Sequence, residues 1–186
     1  TSIYGWDIGT NLALLLKNII AVEKKYFVDI GNLNPEFLVY FKELKPILKS
    51  GKINAMTIPL ISASNKIILL SGKRFKINDF KVFLNWMEDY CPNIRLNINS
   101  IIGYPHETIS DFQETLKFIF KYLRANLIFE IYTYKDIYFS ESYRLKNKVK
   151  EKEITRRVGI LRETVRLSFD KSLAKNLAII DTRFIK

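Results

Sequence analysis

Apolar residues along the chain fall into two alternating rhythms. Leu12, Leu15, Leu16 and Ile19 recur at helical spacing behind Thr10 and Asn11, either of which can cap a helix running to about Lys24. Phe27–Ile30 is a short apolar strand that stops at Gly31-Asn32-Leu33-Asn34-Pro35. Pro35 suits the first turn of the next helix and Asn34 its cap. That helix carries Phe37, Leu38, Phe41, Leu44, Ile47 and Leu48, with a kink expected at Pro46 and an end at Gly51. Ala55–Ile61 reads as a strand, followed by a cap-rich turn at Ser62-Ala63-Ser64-Asn65 and a short helix ending near Gly72. A helix from Asp79 runs through Phe83, Trp86 and Met87 and stops before Pro92. Ile94–Ile102 and Leu127–Tyr134 are strands rich in β-branched and aromatic residues, and a charged helix extends from Glu151 to about Lys175.

Strand and helix therefore alternate four times. This pattern predicts an α/β protein whose parallel sheet of about four strands is joined by right-handed helical crossovers. Four units do not close an eight-stranded barrel and fit an open sheet or part of a partial barrel. No low-complexity segment or internal linker divides the chain, so residues 1–186 read as a single domain.

The strand at Ile94–Ile102 meets its helix through one turn, Asn99-Ser100-Ile101-Ile102-Gly103-Tyr104-Pro105-His106-Glu107-Thr108. After it, Ser110 with Gln113 three residues on reads as a capping box, and Phe112, Leu116, Ile119, Phe120 and Leu123 give the helix an apolar stripe. In parallel α/β sheets such turns lie at the carboxyl end of the strands, where ligands bind. A purely structural turn accounts for the same spacing.

Composition adds three constraints. Hydrophobic residues make up 48% and aromatic residues 13% of the 186 positions, which excludes a disordered chain. The formal net charge of +11 favours an anionic partner, although a basic solvated surface explains it equally. The single cysteine, Cys91, excludes a disulfide framework or a cysteine metal cage built within the chain, and its place before Pro92 reads as a buried structural thiol. There is no apolar run of membrane-spanning length and no signal peptide, so a cytoplasmic setting is expected. The chain begins at Thr1 directly in patterned sequence and reads as a piece of a longer protein.

Five segments, in order, resemble the radical SAM methylthiotransferases, which add a methylthio group to a tRNA base or a ribosomal protein. Tyr4-Gly5-Trp6-Asp7 resembles the family's Y-G-x-D before a leucine-rich helix, and Asn34-Pro35 the N-P or H-P after its third strand. Pro59-Leu60-Ile61-Ser62-Ala63-Ser64, with Ile67-Ile68 to Phe75, is similar to P-x-Q-S-G-S followed by I-L-x-x-M-x-R-x-Y. Asn99 to Phe112 is similar to D-x-I-x-G-F-P-G-E-T-x-x-D-F, and Phe129–Ser142 to the last-strand segment. The departures are Ile61 for glutamine, Ala63 for glycine, Asn99 for aspartate, His106 for glycine, Lys135 for serine and Ile137 for arginine.

The resemblance implies the C-terminal part of a (β/α)6 partial TIM barrel. It implies S-adenosylmethionine and a 4Fe-4S cluster as cofactors of the parent protein, and tRNA or a ribosomal protein as its partner. The family's cluster needs C-x-x-x-C-x-x-C, which Cys91 cannot replace. No catalytic residue, metal ligand or bound cofactor is therefore expected in this chain alone, which should be inactive by itself. By resemblance, the S-adenosylmethionine-binding positions are Ser62, Ser64, Lys73, Asn99, Gly103, Pro105 and Glu107. Helix capping also accounts for Ser62, Ser64 and Asn65, and a bond within its own turn for Glu107. The run Arg144, Lys146, Lys148, Lys150, Lys152, Arg156, Arg157, Arg162 and Arg166 reads first as a solvated face partnered by Glu151, Glu153 and Glu163, and second as an RNA-contacting face.

The alternative function is a stand-alone basic α/β binding module without cluster or activity. Two structural expectations follow from the fold. The edge of the strand at Phe27–Ile30 should be exposed and prone to self-association. Asn32, Ser62, Ser64, Gly103, Glu107 and Tyr134 should share one carboxyl edge.

Overall fold

The computed structural model describes residues 5–23, 25–168 and 175–182. Tyr4 of the Tyr4-Gly5-Trp6-Asp7 segment lies outside these residues, as do residues 169–174 of the charged helix expected to run to about Lys175. The elements run α1 (Leu12–Ile20), β1 (Val28–Ile30), a 3₁₀ segment (Pro35–Tyr40) leading into α2 (Phe41–Leu48), β2 (Ile53–Ile61), α3 (Asn65–Leu70), α4 (Ile77–Tyr90), β3 (Arg95–Ile102), α5 (Ile109–Tyr122), β4 (Leu127–Thr133), α6 (Glu151–Ser168) and β5 (Leu177–Ile180). The five strands pair in sequence order, all parallel. Consecutive parallel strands joined by right-handed crossovers place the helices on one face of the sheet.

The alternation along the strands shows the consequence. In β3, Leu96, Ile98, Ser100 and Ile102 are buried, while Asn97, Asn99 and Ile101 between them are only partly covered. In β4, Leu127, Phe129, Ile131 and Thr133 are buried, and Ile128, Glu130 and Tyr132 are partly covered. The buried set joins the helices in one core, in which Phe83 touches Phe37, Phe41 and Phe80 at ring separations of 5.1, 5.3 and 5.7 Å. The other face has no helix over it among the described residues. Its polar side chains sit in register: Thr57 beside Asn97, and Asn99 beside Glu130.

Three sequence expectations shift. A fifth strand, β5, follows the charged helix where the pattern gave none. Its four residues are too short a run to signal a strand, and pairing with β4 supplies what propensity does not. The cap of α5 is Thr108 with Asp111 rather than Ser110 with Gln113. Thr108 Oγ1 accepts from the Asp111 amide, and Asp111 Oδ2 accepts from the Thr108 amide at 2.8 Å. Helix α4 also begins earlier than Asp79, at Ile77, whose amide donates to Asn65 Oδ1 at 3.0 Å.

Gly103 ends β3 at φ +83°, and a Cβ there would stand 2.5 Å from Ile154 Cγ1 of α6. Gly103→Ala should therefore cost about 2–4 kcal/mol, summing left-handed strain and overpacking. A denaturation midpoint equal to wild type would contradict this packing.

Candidate functional site

The parallel sheet brings the turns after β1, β2, β3 and β4 to one carboxyl edge, where Asn32, Ser62, Ser64, Gly103, Glu107 and Tyr134 all lie. They do not form one polar groove. Most of their polar atoms are spent inside the fold, and two internal networks hold the edge together.

The first network ties β2 to α5. Ser62 is fully buried, and its Oγ lies 2.9 Å from Thr115 Oγ1 and accepts from the Ser64 amide at 3.1 Å. Ser64 Oγ does not cap α3; it donates to Asp111 Oδ1 at 2.6 Å. Asp111 also receives bonds from Lys66 Nζ and, at 2.6 Å, from the Thr108 hydroxyl. Burial alone would raise the Asp111 carboxyl, but the bonds from Lys66, Ser64 and Thr108 outweigh it and hold the group well below the usual carboxylate range. A depressed folded pKa contributes stability above the unfolded value of 3.8 and loses it as pH falls through the folded value. Wild type should accordingly lose stability steadily below about pH 4. Asp111→Asn should be less stable at pH 7 and have a flatter acid limb in thermal melts across pH; parallel limbs for the two proteins would contradict the assignment.

The second network ties β3 to α6. Glu107 is buried, and its Oε2 accepts from the Gly103 amide at 2.8 Å and from Arg157 Nη1. Arg157 is itself buried, lies over the Phe112 ring at 5.7 Å, and donates through Nε to Glu153 at 3.0 Å. Glu107 Oε1 is buried without a partner among the described residues. Burial pushes the Glu107 carboxyl up to about 7, against the pull of the Gly103 amide and the Arg157 guanidinium. Arg157 was expected on a solvated face. Its position on the stripe of Ile154, Val158, Leu161 and Val165 is the signal that it turns inward. Arg156 and Arg166 do pair on the surface, with Glu153 and Glu163.

The remaining positions are placed as follows. Pro105 is buried in the turn after β3. Lys73 is half-buried, with Nζ 3.4 Å from Asn34 Oδ1, and burial lowers its pKa. Asn99 differs from the others because it lies on the uncovered face. Its Oδ1 is buried and has no hydrogen-bond partner among the described residues. Beside it, Tyr132 OH donates to Glu130 Oε2 at 2.9 Å, and Asn97 Nδ2 lies 3.4 Å from Thr57 Oγ1. The sequence reading did not select Asn97, Glu130 or Tyr132. Polar residues at every second position of otherwise apolar strands were the available signal.

Known proteins can now be set against this geometry. No protein-family model matches the chain. The human threonylcarbamoyladenosine tRNA methylthiotransferase is 33% identical over 125 residues, covering 66% of this chain and 22% of its own length. The Aquifex aeolicus threonylcarbamoyladenosine tRNA methylthiotransferase MtaB is 31% identical over 162 residues, covering 86% of this chain and 38% of its own. The chain is a relative of the tRNA methylthiotransferases.

The solved structure of archaeal Elp3 from Methanocaldococcus infernus, at 17% identity, superposes with a TM-score of 0.58 over 95% of this chain and 40% of its own. That likeness shows a shared α/β fold. The chain spans about a fifth to two-fifths of the length of these methylthiotransferases, from 22% to 38%. Among the described residues no helix is long and apolar enough to cross a membrane.

Proposed function

We propose that the chain is the carboxyl-proximal part of the barrel of a radical SAM methylthiotransferase that acts on tRNA, in a cytoplasmic setting, with the uncovered polar face of the sheet as its ligand side. The observation that carries this reading is the match to the methylthiotransferases through 86% of the chain. The relatives are named for tRNA, which supports tRNA over a ribosomal protein as substrate.

The residues present fit the two implied cofactors unequally. One cysteine cannot ligate an iron–sulfur cluster, so no step is assigned to a cluster here; its ligands belong to residues outside this chain. S-adenosylmethionine fits better. When bound in this family it supplies the group that the cluster reduces. Asn99 Oδ1 is an acceptor lacking a donor, and an amino or hydroxyl hydrogen of a nucleoside supplies one. Glu130 and Tyr132 beside it add a carboxylate and a phenol, with burial and the Glu130 carboxylate pushing the phenol up. Ser62, Ser64 and Glu107 act one layer back, fixing the turns that end β2 and β3.

Mass spectrometry of tRNA nucleosides tests the reading. Deletion of the gene encoding this chain should abolish the methylthio form of threonylcarbamoyladenosine and leave the unmodified nucleoside to accumulate. An unchanged methylthio level would overturn it and favour the stand-alone binding module.

A further inference from the structure

The loop from β4 to α6 leaves its aromatic side chains in solvent. Tyr138 and Phe139 are 65% and 84% exposed. Phe139 holds φ at +72°, a left-handed conformation that a bulky residue rarely adopts, and this presents its ring outward beside Tyr138 at a centroid separation of 4.1 Å. Tyr143 packs edge-on against Tyr138 at 5.3 Å.

A basic groove adjoins these rings. It is an open cleft of about 870 Å³ between the end of α3 and the start of α6, and its walls include Lys66, His106, Lys148, Lys150 and Lys152. The segment Arg144–Lys152 carries five cations and one acid. Lys66 and Lys148 are held by Asp111 and Asp136, whereas Lys150 and Lys152 form no ion pair among the described residues. Lys148 belongs to both features. It lines the groove, and its Nζ lies 5.7 Å from the Tyr143 ring and donates to the Ser142 carbonyl at 2.7 Å. Exposed rings continuous with unpaired lysines are the chemistry that holds unstacked bases and their phosphates.

We propose that Tyr138 and Phe139 form a stacking platform for unpaired RNA bases, and that Lys150 and Lys152 in the adjoining groove hold the flanking phosphates. The inference rests on the tRNA reading above and adds to it where the RNA lies and which part of the RNA is held. A paired stem presents no free base face to the rings, so an unpaired loop is the element recognised.

Fluorescence anisotropy with the 186-residue chain tests this, using a fluorescein-labelled RNA hairpin with an unpaired loop and a fully paired RNA duplex of the same length. Wild type should prefer the hairpin. Phe139→Ala and Tyr138→Ala should each weaken hairpin binding about tenfold and leave the duplex unchanged, while Phe139→Tyr retains wild-type affinity. Lys150→Ala combined with Lys152→Ala should weaken both RNAs and reduce the slope of log affinity against log salt by about 1.5. Circular dichroism confirms that these exposed substitutions leave the fold intact. Hairpin binding by both alanine variants equal to wild type overturns the platform and leaves the tRNA reading standing. Failure of wild type to bind either RNA also overturns it, and the nucleoside measurement then judges the tRNA reading separately.

Discussion

Arg157→Ala should lower the stability of the chain by about 3–5 kcal/mol, a fall of roughly 10 °C in melting temperature. The guanidinium and the Glu107 carboxyl are 5% and 1% exposed, so removing Arg157 leaves the buried carboxyl without its cation, and removing Glu107 leaves the buried guanidinium with only Glu153 as an ion-pair partner among the described residues. Glu107→Ala should cost as much, because it also strips the acceptor from the Gly103 amide. Replacing both together, as Glu107→Leu with Arg157→Leu, should recover part of the loss, since an apolar pair of similar bulk carries no desolvation penalty while the Gly103 amide stays without its acceptor. Chemical denaturation of the three proteins reads the coupling. Strictly additive losses would show that the pair does not act as a unit. Its place explains the size of the effect: it clamps α6 onto the turn that ends β3 at the carboxyl edge of the sheet.

A second substitution should move stability and function in opposite directions. Asn99→Leu removes a buried acceptor that has no donor among the described residues, so stability should hold or rise by about 1 kcal/mol. If that acceptor receives a ligand's donor, the same change leaves the donor unpaired and should cut ligand-dependent activity by about 10- to 100-fold. Titration calorimetry with S-adenosylmethionine on the complete enzyme gives an independent readout and should show a matching loss of affinity. Retained affinity together with retained activity would remove Asn99 from the ligand side.

The architecture was legible in the sequence wherever one rhythm persisted. The caps at Asn11 and Asn34 and the strands at β2, β3 and β4 stand close to where the pattern put them, because local propensity and burial agree there. The cap of α5 was not decidable locally. Thr108 with Asp111 and Ser110 with Gln113 are both capping patterns, and the choice is made by Ser64 and Lys66, which reach Asp111 from far away in sequence. Arg157 was hidden for a related reason: only a tertiary partner, fifty residues distant, turns an arginine inward. The serines of the candidate site carried two readings that composition could not separate, capping or ligand contact, and the structure shows a third in their bonds to Thr115 and Asp111. The open polar face was written in Asn97, Asn99, Glu130 and Tyr132, but its meaning depended on knowing that the described helices lie on the other side.

The most direct test of the central claim is complementation of a strain lacking this gene, read by mass spectrometry of its tRNA nucleosides. The wild-type gene should restore the methylthio form of threonylcarbamoyladenosine. The gene carrying Asn99→Leu should fail to restore it while its protein accumulates to at least the wild-type level. Full restoration by Asn99→Leu would contradict the account and place the ligand elsewhere than the uncovered face of the sheet.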